Sequence, residues 1–148
     1  MALNTLNVAL ADDDEDDRLV FKDAIDELKI KTKLSLFING KELMDYLRLP
    51  NVILPEIIFL DLNMPVKNGM QCLKEIRENP QLNGVSVAIY STSSSEKDIE
   101  ETFINGANVY INKPNKFCDL KSVIEKVLQL NWQYQTSTLN RDNFLLRI

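Results

Sequence analysis

The sequence predicts an α/β protein, an open and doubly wound sandwich of five parallel strands with helices on both faces. Three observations carry this. Short apolar runs alternate with longer stretches of helical period, so the element order is strand then helix, five times over. The short runs are apolar at nearly every position, as strands buried on both faces are. Each helical stretch has one apolar stripe, as a helix laid on a sheet does. The chain has 148 residues, 45% of them hydrophobic, which suits one domain with a real core and is too little for two ordinary ones.

Val8–Ala11 is the first strand, short and apolar. Phe21, Ala24, Ile25 and Leu28 then fall at i, i+3, i+4 and i+7, the buried stripe of a first helix. Leu34–Phe37 is the second strand, and Leu43, Met44 and Leu47 mark a shorter helix after it. The loop Leu49–Glu56 leads into the third strand, Ile57–Leu60, and Gly69, Cys72, Leu73 and Ile76 repeat the helical spacing. Val85–Tyr90 is the fourth strand. The serine-rich patch Ser91–Ser95 follows, with Ser95 placed to cap a helix that opens Glu96, Lys97, Asp98 and buries Ile99 and Phe103. Val109–Ile111 is the fifth strand, and Leu120, Val123, Ile124, Val127 and Leu128 give the strongest helix of the chain. Residues 1–130 make the domain. Residues 131–148 are an extension too short for another, although Trp132, Phe144, Leu145 and Leu146 are apolar enough to dock.

Charge and composition exclude several functions. Lys and Arg number 17 against 22 for Asp and Glu, a net charge of -5 with a pI near 4.8, the wrong sign for neutralising the phosphates of DNA or RNA. No apolar run is long enough to cross a membrane, and Met1–Leu10 lacks the basic-then-apolar pattern of a secretion signal; the expectation is a cytoplasmic protein. Cys72 and Cys118 stand far apart and His is absent, which removes most zinc sites and every Ser-His or Cys-His nucleophile. Chemistry must come from carboxylates, hydroxyls and lysine.

In open parallel sheets, sites form at the carboxyl ends of strands. Behind the first strand stand Asp12-Asp13-Asp14-Glu15-Asp16-Asp17. Asp16 and Asp17 read as a solvated helix start that suits the helix dipole. An EF-hand is excluded, because its sixth position is Asp17 rather than Gly, its twelfth is Asp23 rather than Glu, and a strand precedes it. Behind the third strand stands Asp61, in the same cleft as Asp12 and Asp13. Like charges there repel by roughly 4 kcal/mol per pair at about 4 Å and an effective dielectric near 20. A hard divalent cation, Mg²⁺, answers that repulsion with oxygen ligands. Ser91-Thr92 behind the fourth strand and Lys113-Pro114 behind the fifth add a hydroxyl and an ammonium, the donor and the charge that a phosphoryl group on a carboxylate needs.

This constellation resembles the receiver domain of bacterial two-component response regulators, the CheY-like family, from about Asn7 to Leu130. The runs Asp61-Leu62-Asn63-Met64-Pro65 and Lys67-Asn68-Gly69 are its most specific pieces, and the intervals from Asp61 to Ser91 and from Ser91 to Lys113 agree with the family pattern. The resemblance implies a flavodoxin-like (βα)5 sheet of order 2-1-3-4-5. It makes Asp61 the phosphoacceptor and Asp12 and Asp13 the acidic pair. Mg²⁺ would be held directly by Asp13, Asp61 and the Asn63 backbone carbonyl, and through water by Asp12. Ser91 is then the switch hydroxyl, with Thr92 the alternative, Tyr110 the rotating aromatic, and Lys113 the lysine that pairs with the phosphoryl group more than with the resting site.

The implied partners are a sensor histidine kinase or histidine phosphotransfer protein and a downstream protein target. A second copy could bind through the face of the fourth helix, fifth strand and fifth helix; nucleic acid and membrane are not expected. With the loop Leu49–Glu56 longer than in a minimal receiver, the chain resembles single-domain regulators that accompany phytochrome-type kinases, phosphoacceptor switches rather than turnover enzymes; no output domain is expected after Leu130, so the expected output is a protein contact. Two other readings compete. A Mg²⁺-dependent haloacid-dehalogenase-like phosphohydrolase wants Asp-x-Asp behind its first strand and a cap insertion. A flavodoxin-like cofactor binder wants Ser, Thr and Gly where this chain places acids.

Overall fold

A computed structural model describes residues 5–130 and Leu145–Leu146; Trp132 and Phe144 lie outside the described residues. Alternation along the strands explains their unbroken apolar character, since each strand feeds two cores. In β1 (Leu6–Ala11), Ala9 and Ala11 join one cluster, and Val8 and Leu10 the other. The same division holds for Ile58 and Leu60 against Ile57 and Phe59 in β3 (Ile57–Leu60), and for Val87 and Ile89 against Ala88 and Tyr90 in β4 (Ser86–Ser91). One core is closed by α2 (Gly40–Leu47), α3 (Gly69–Glu78) and α4 (Glu96–Ile104), the other by α1 (Glu15–Asp26) and α5 (Phe117–Gln129).

With β2 (Thr32–Phe37) and β5 (Val109–Asn112), the five parallel strands stand in the expected order, β2-β1-β3-β4-β5. The sheet goes one strand further than expected. β6 (Leu145–Leu146) pairs in parallel with β5, Tyr110 opposite Leu145 and Ile111 opposite Leu146. Two residues carry no periodicity, so the sequence could not announce them. Several strands also run past their apolar stretch: Leu6 and Asn7 pair with Thr32 and Lys33, and Ser91 with Asn112. The hydrogen-bond ladder continues where the hydrophobic pattern stops.

β1 lies between β2 and β3, so the chain winds one way from β1 to β2 and the other way to β3. The crevice opens at that reversal. The Asp12 N–H donates to the Phe37 carbonyl and the Asp61 N–H to the Ala11 carbonyl, both at 3.0 Å, so the ladder itself delivers the two acids to the mouth of the crevice. At the opposite end of the sheet Arg77 of α3 donates to the carbonyls of Gly106, Asn83 and Val85 at 2.8, 2.9 and 2.8 Å, and to Asn108 Oδ1 at 2.9 Å. Burial lowers the pKa of this guanidinium, which nonetheless keeps its charge and knots the loops there. Among the described residues no helix is long and apolar enough to cross a membrane.

Candidate functional site

The turn after β1 is built by its own acids. Asp12 is fully buried, and its Oδ1 accepts from the Asp14 N–H at 3.0 Å. Asp14 is the N-cap of α1, its Oδ1 accepting from the Asp17 N–H at 2.9 Å. Arg18 Nη1 reaches back to the Asp12 carbonyl at 2.8 Å. Asp13, between two residues fixed in this way, is exposed.

Asp61 follows β3 and is 6% exposed. Its Oδ1 accepts from the Asn63 N–H at 3.1 Å. The loop then doubles back tightly, with Val66 at φ 68 and the Lys67 N–H on the Pro65 carbonyl at 2.7 Å, a γ-turn that a β-branched residue enters only under strain. Gly69 closes it, donating from its N–H to the Leu62 carbonyl at 3.1 Å. A Cβ on Gly69 would stand 2.2 Å from the Asp61 carbonyl oxygen, so Asp61 keeps its place only because this residue has no side chain. Asn68 and Gln71 form a reciprocal capping box at the start of α3.

Lys113, just past β5, crosses the mouth. Its Nζ donates to Asp12 Oδ2 and Asp17 Oδ2, both at 2.8 Å, and to Asp61 Oδ2 at 3.4 Å. The ammonium also lies 5.1 Å from the centre of the Tyr90 ring. Burial alone would lower the Lys113 pKa, but the bonds to Asp12 and Asp17 outweigh it and the pKa is raised. For Asp61 burial dominates over the attraction of Lys113, and its carboxyl is pushed up to about 6. One expectation changes here. Asp17 is more than a solvated helix-start residue: the Asp14 cap fixes its backbone where its carboxylate meets Lys113, although its side chain stays 41% exposed.

The hydroxyl side is equally tied. Ser91 is fully buried and Thr92 exposed. Ser91 Oγ accepts from the Ser93 N–H at 3.1 Å. Ser93 is a knot, its Oγ donating to Asp98 Oδ2 at 2.6 Å and accepting from the Ser95 N–H at 3.2 Å. The Ser93 carbonyl accepts from the Tyr110 hydroxyl at 2.8 Å and from Asn112 Nδ2 at 3.0 Å. Tyr110 is fully buried, and burial raises its pKa. Ser95 caps α4 as expected, accepting from the Asp98 N–H. Asp17, Tyr90, Ser93 and Asn112 were the contributors that motif spacing could not single out. Only Asp17 carried a signal, an acid at the third helical position behind a capping Asp.

Carboxylate oxygens of Asp12, Asp13 and Asp61 all lie within 4.8 Å of one another. The donors are oxygens only, with neither sulfur nor imidazole among them, which fits a hard divalent cation rather than a soft one. Such an ion would neutralise charge that Lys113 alone leaves in excess.

Buried strand-end acids at a switch point, a lysine across them and a hydroxyl loop tied to an aromatic are the arrangement expected of a receiver domain. The sequence profile of the response regulator receiver domain matches residues 8–125, and the chain belongs to that family. It is 27% identical over 124 residues to response regulator Rcp1 of Synechocystis, covering 81% of this chain and 84% of that protein. The probable methanogenesis regulatory protein FilR2 of Methanothrix harundinacea is 29% identical over 130 residues, with 84% of each chain covered. Among solved structures, the phosphorylated cyanobacterial phytochrome response regulator RcpA superposes with a TM-score of 0.78 at 27% identity, over 93% of this chain and 98% of that one. The Mn²⁺-bound form of Rcp1 gives 0.75, also at 27% identity, over 82% and 91%. Family membership leaves the phosphohydrolase and flavin-type readings without support.

Proposed function

We propose that Asp61 accepts a phosphoryl group from the phosphohistidine of a sensor kinase or histidine phosphotransfer protein. The observation that supports this is the convergence of Asp12, Asp13, Asp61 and Lys113 at the sheet's switch point. An Asp61 carboxylate oxygen attacks phosphorus, the P–N bond breaks, and its electron pair stays on the imidazole, which takes up a proton. Bound Mg²⁺ supplies the charge neutralisation that lets an anionic group approach three carboxylates. Asp13, Asp61 and the Asn63 carbonyl would hold it directly, and Asp12 through water. Lys113 meets one phosphoryl oxygen and Ser91 another. Tyr110 then leaves the Ser93 carbonyl, and the loop before α4 resets.

On this reading residues 1–130 work as a cytoplasmic switch rather than a turnover enzyme. The output is the face of α4, β5 and α5, with β6 already on the outer border of β5, offered to a protein target or a second copy. Its side chains Lys97, Glu100, Glu101 and Lys116 are of mixed sign, which suits a protein partner; Lys121 is drawn toward α1 by Glu27 at 2.9 Å. Acetyl phosphate with Mg²⁺, read by intact mass, tests the reading. One phosphoryl group should be added to the unaltered protein and none to Asp61→Asn; undiminished labelling of the variant would overturn it.

A further inference from the structure

We propose that Asp17 is a positioning residue that holds Lys113 at rest and gives it up when Asp61 is modified, an inference that rests on the phosphoacceptor reading above. An ammonium has three N–H donors, and the three carboxylates around Lys113 use them all. Two contacts are short, 2.8 Å to Asp12 and to Asp17, and the contact with Asp61 is the long one at 3.4 Å. The two short bonds therefore hold Nζ off Asp61, and a phosphoryl oxygen there draws Lys113 in fully only as one of those two lengthens.

Exposure selects which one. The side chains of Asp12 and Asp61 are 0% and 8% exposed, that of Asp17 is 41% exposed. Asp12, fully buried, has no solvent to turn to if Lys113 leaves it. Asp17 turns to water at little cost. Its hold is still a built one, because Asp14 fixes the Asp17 backbone at the third helical position, and the side chain need not be gathered from a mobile segment. Asp17 thus competes with the phosphoryl group for the position of the Lys113 ammonium. Its removal should favour the modified state, whereas a carboxylate that merely decorates the helix would leave that balance alone. The exchange also gives the first turn of α1 two environments, one for each state of Asp61.

The experiment uses the full chain in saturating Mg²⁺, titrated with beryllofluoride as the phosphoryl mimic and followed by amide and lysine-ammonium NMR. Asp17→Asn keeps the shape and removes the charge; Asp16→Asn removes an equal charge from an exposed neighbour that makes no contact with Lys113. Asp17→Asn should bind beryllofluoride about fivefold more tightly, the worth of one half-exposed ion pair. Its resting Lys113 ammonium signal should shift toward the position seen in the mimic-bound unaltered protein, and Asp16→Asn should change neither. Equal or weaker binding by Asp17→Asn, or the same gain from Asp16→Asn, would overturn the positioning role while leaving the phosphoacceptor reading intact. Failure of the unaltered protein to bind the mimic at all would overturn both.

Discussion

Replacing Asp61 by Asn should make the metal-free protein more stable. The Asp61 carboxyl stands at about 6 against an ordinary 3.8, a rise of about two units that already includes the attraction of Lys113. At about 1.4 kcal/mol per unit, holding the charged form in the fold costs about 3 kcal/mol. Below about pH 3 the group is protonated in folded and unfolded chains alike, and no penalty exists. As pH climbs from about 3 to 6 the folded state holds more protons than the unfolded one, so the stability tied to this site is lost; above pH 7 the loss is complete. Asn, always neutral, escapes it. In chelator at pH 7.5, urea unfolding followed by circular dichroism should therefore show Asp61→Asn ahead by about 3 kcal/mol, or a melting point higher by about 6–12 °C. The gap should close as pH falls toward about 3. It should also close when Mg²⁺ is added, because a cation at about a hundred times its Kd returns about 2.7 kcal/mol to the unaltered protein and little to the variant. An Asn variant equal to or less stable than the unaltered protein at pH 7.5 would refute the reasoning.

Gly69→Ala should cost about 2–3 kcal/mol, because the new Cβ meets the Asp61 carbonyl oxygen at 2.2 Å and Leu62 Cα at 2.8 Å. Urea unfolding reads the loss, and slower acetyl phosphate labelling should accompany it as Asp61 is displaced. Arg77→Ala should lose a similar amount by stripping the Gly106, Asn83 and Val85 carbonyls of a charged donor; sitting at the far end of the sheet, it should leave initial labelling rates unchanged. Tyr110→Phe removes the hydroxyl from the Ser93 carbonyl. Amide exchange at 93–95 should accelerate by about fivefold while exchange in β1 and β3 stays as it was.

The sheet and its helices were legible because parallel strands buried on both faces leave continuous apolar runs, and each helix shows one stripe. Asp12, Asp61, Ser91 and Lys113 were legible for a related reason: a polar residue directly behind a buried run has nowhere to be but the crevice. Asp17 was not, since the same acid at the same helical position is ordinarily solvated, and only a lysine far along the chain made it otherwise. Ser93 and Asn112 were hidden for another cause. The Ser93 carbonyl is what Asn112 and Tyr110 hold, and a backbone partner leaves no pattern in side-chain order.

Leu145–Leu146 lies along the outer border of β5, opposite Tyr110 and Ile111. A sheet border of this kind is a template for any extended segment, and many recognition modules work by letting a foreign peptide add itself there. In this molecule the place is taken by its own chain. A visiting strand can enter only by exchange, and the incumbent, two residues long, is a weak holder of the position. The strand it leans on also carries Tyr110, so the border segment and that ring share one short piece of backbone.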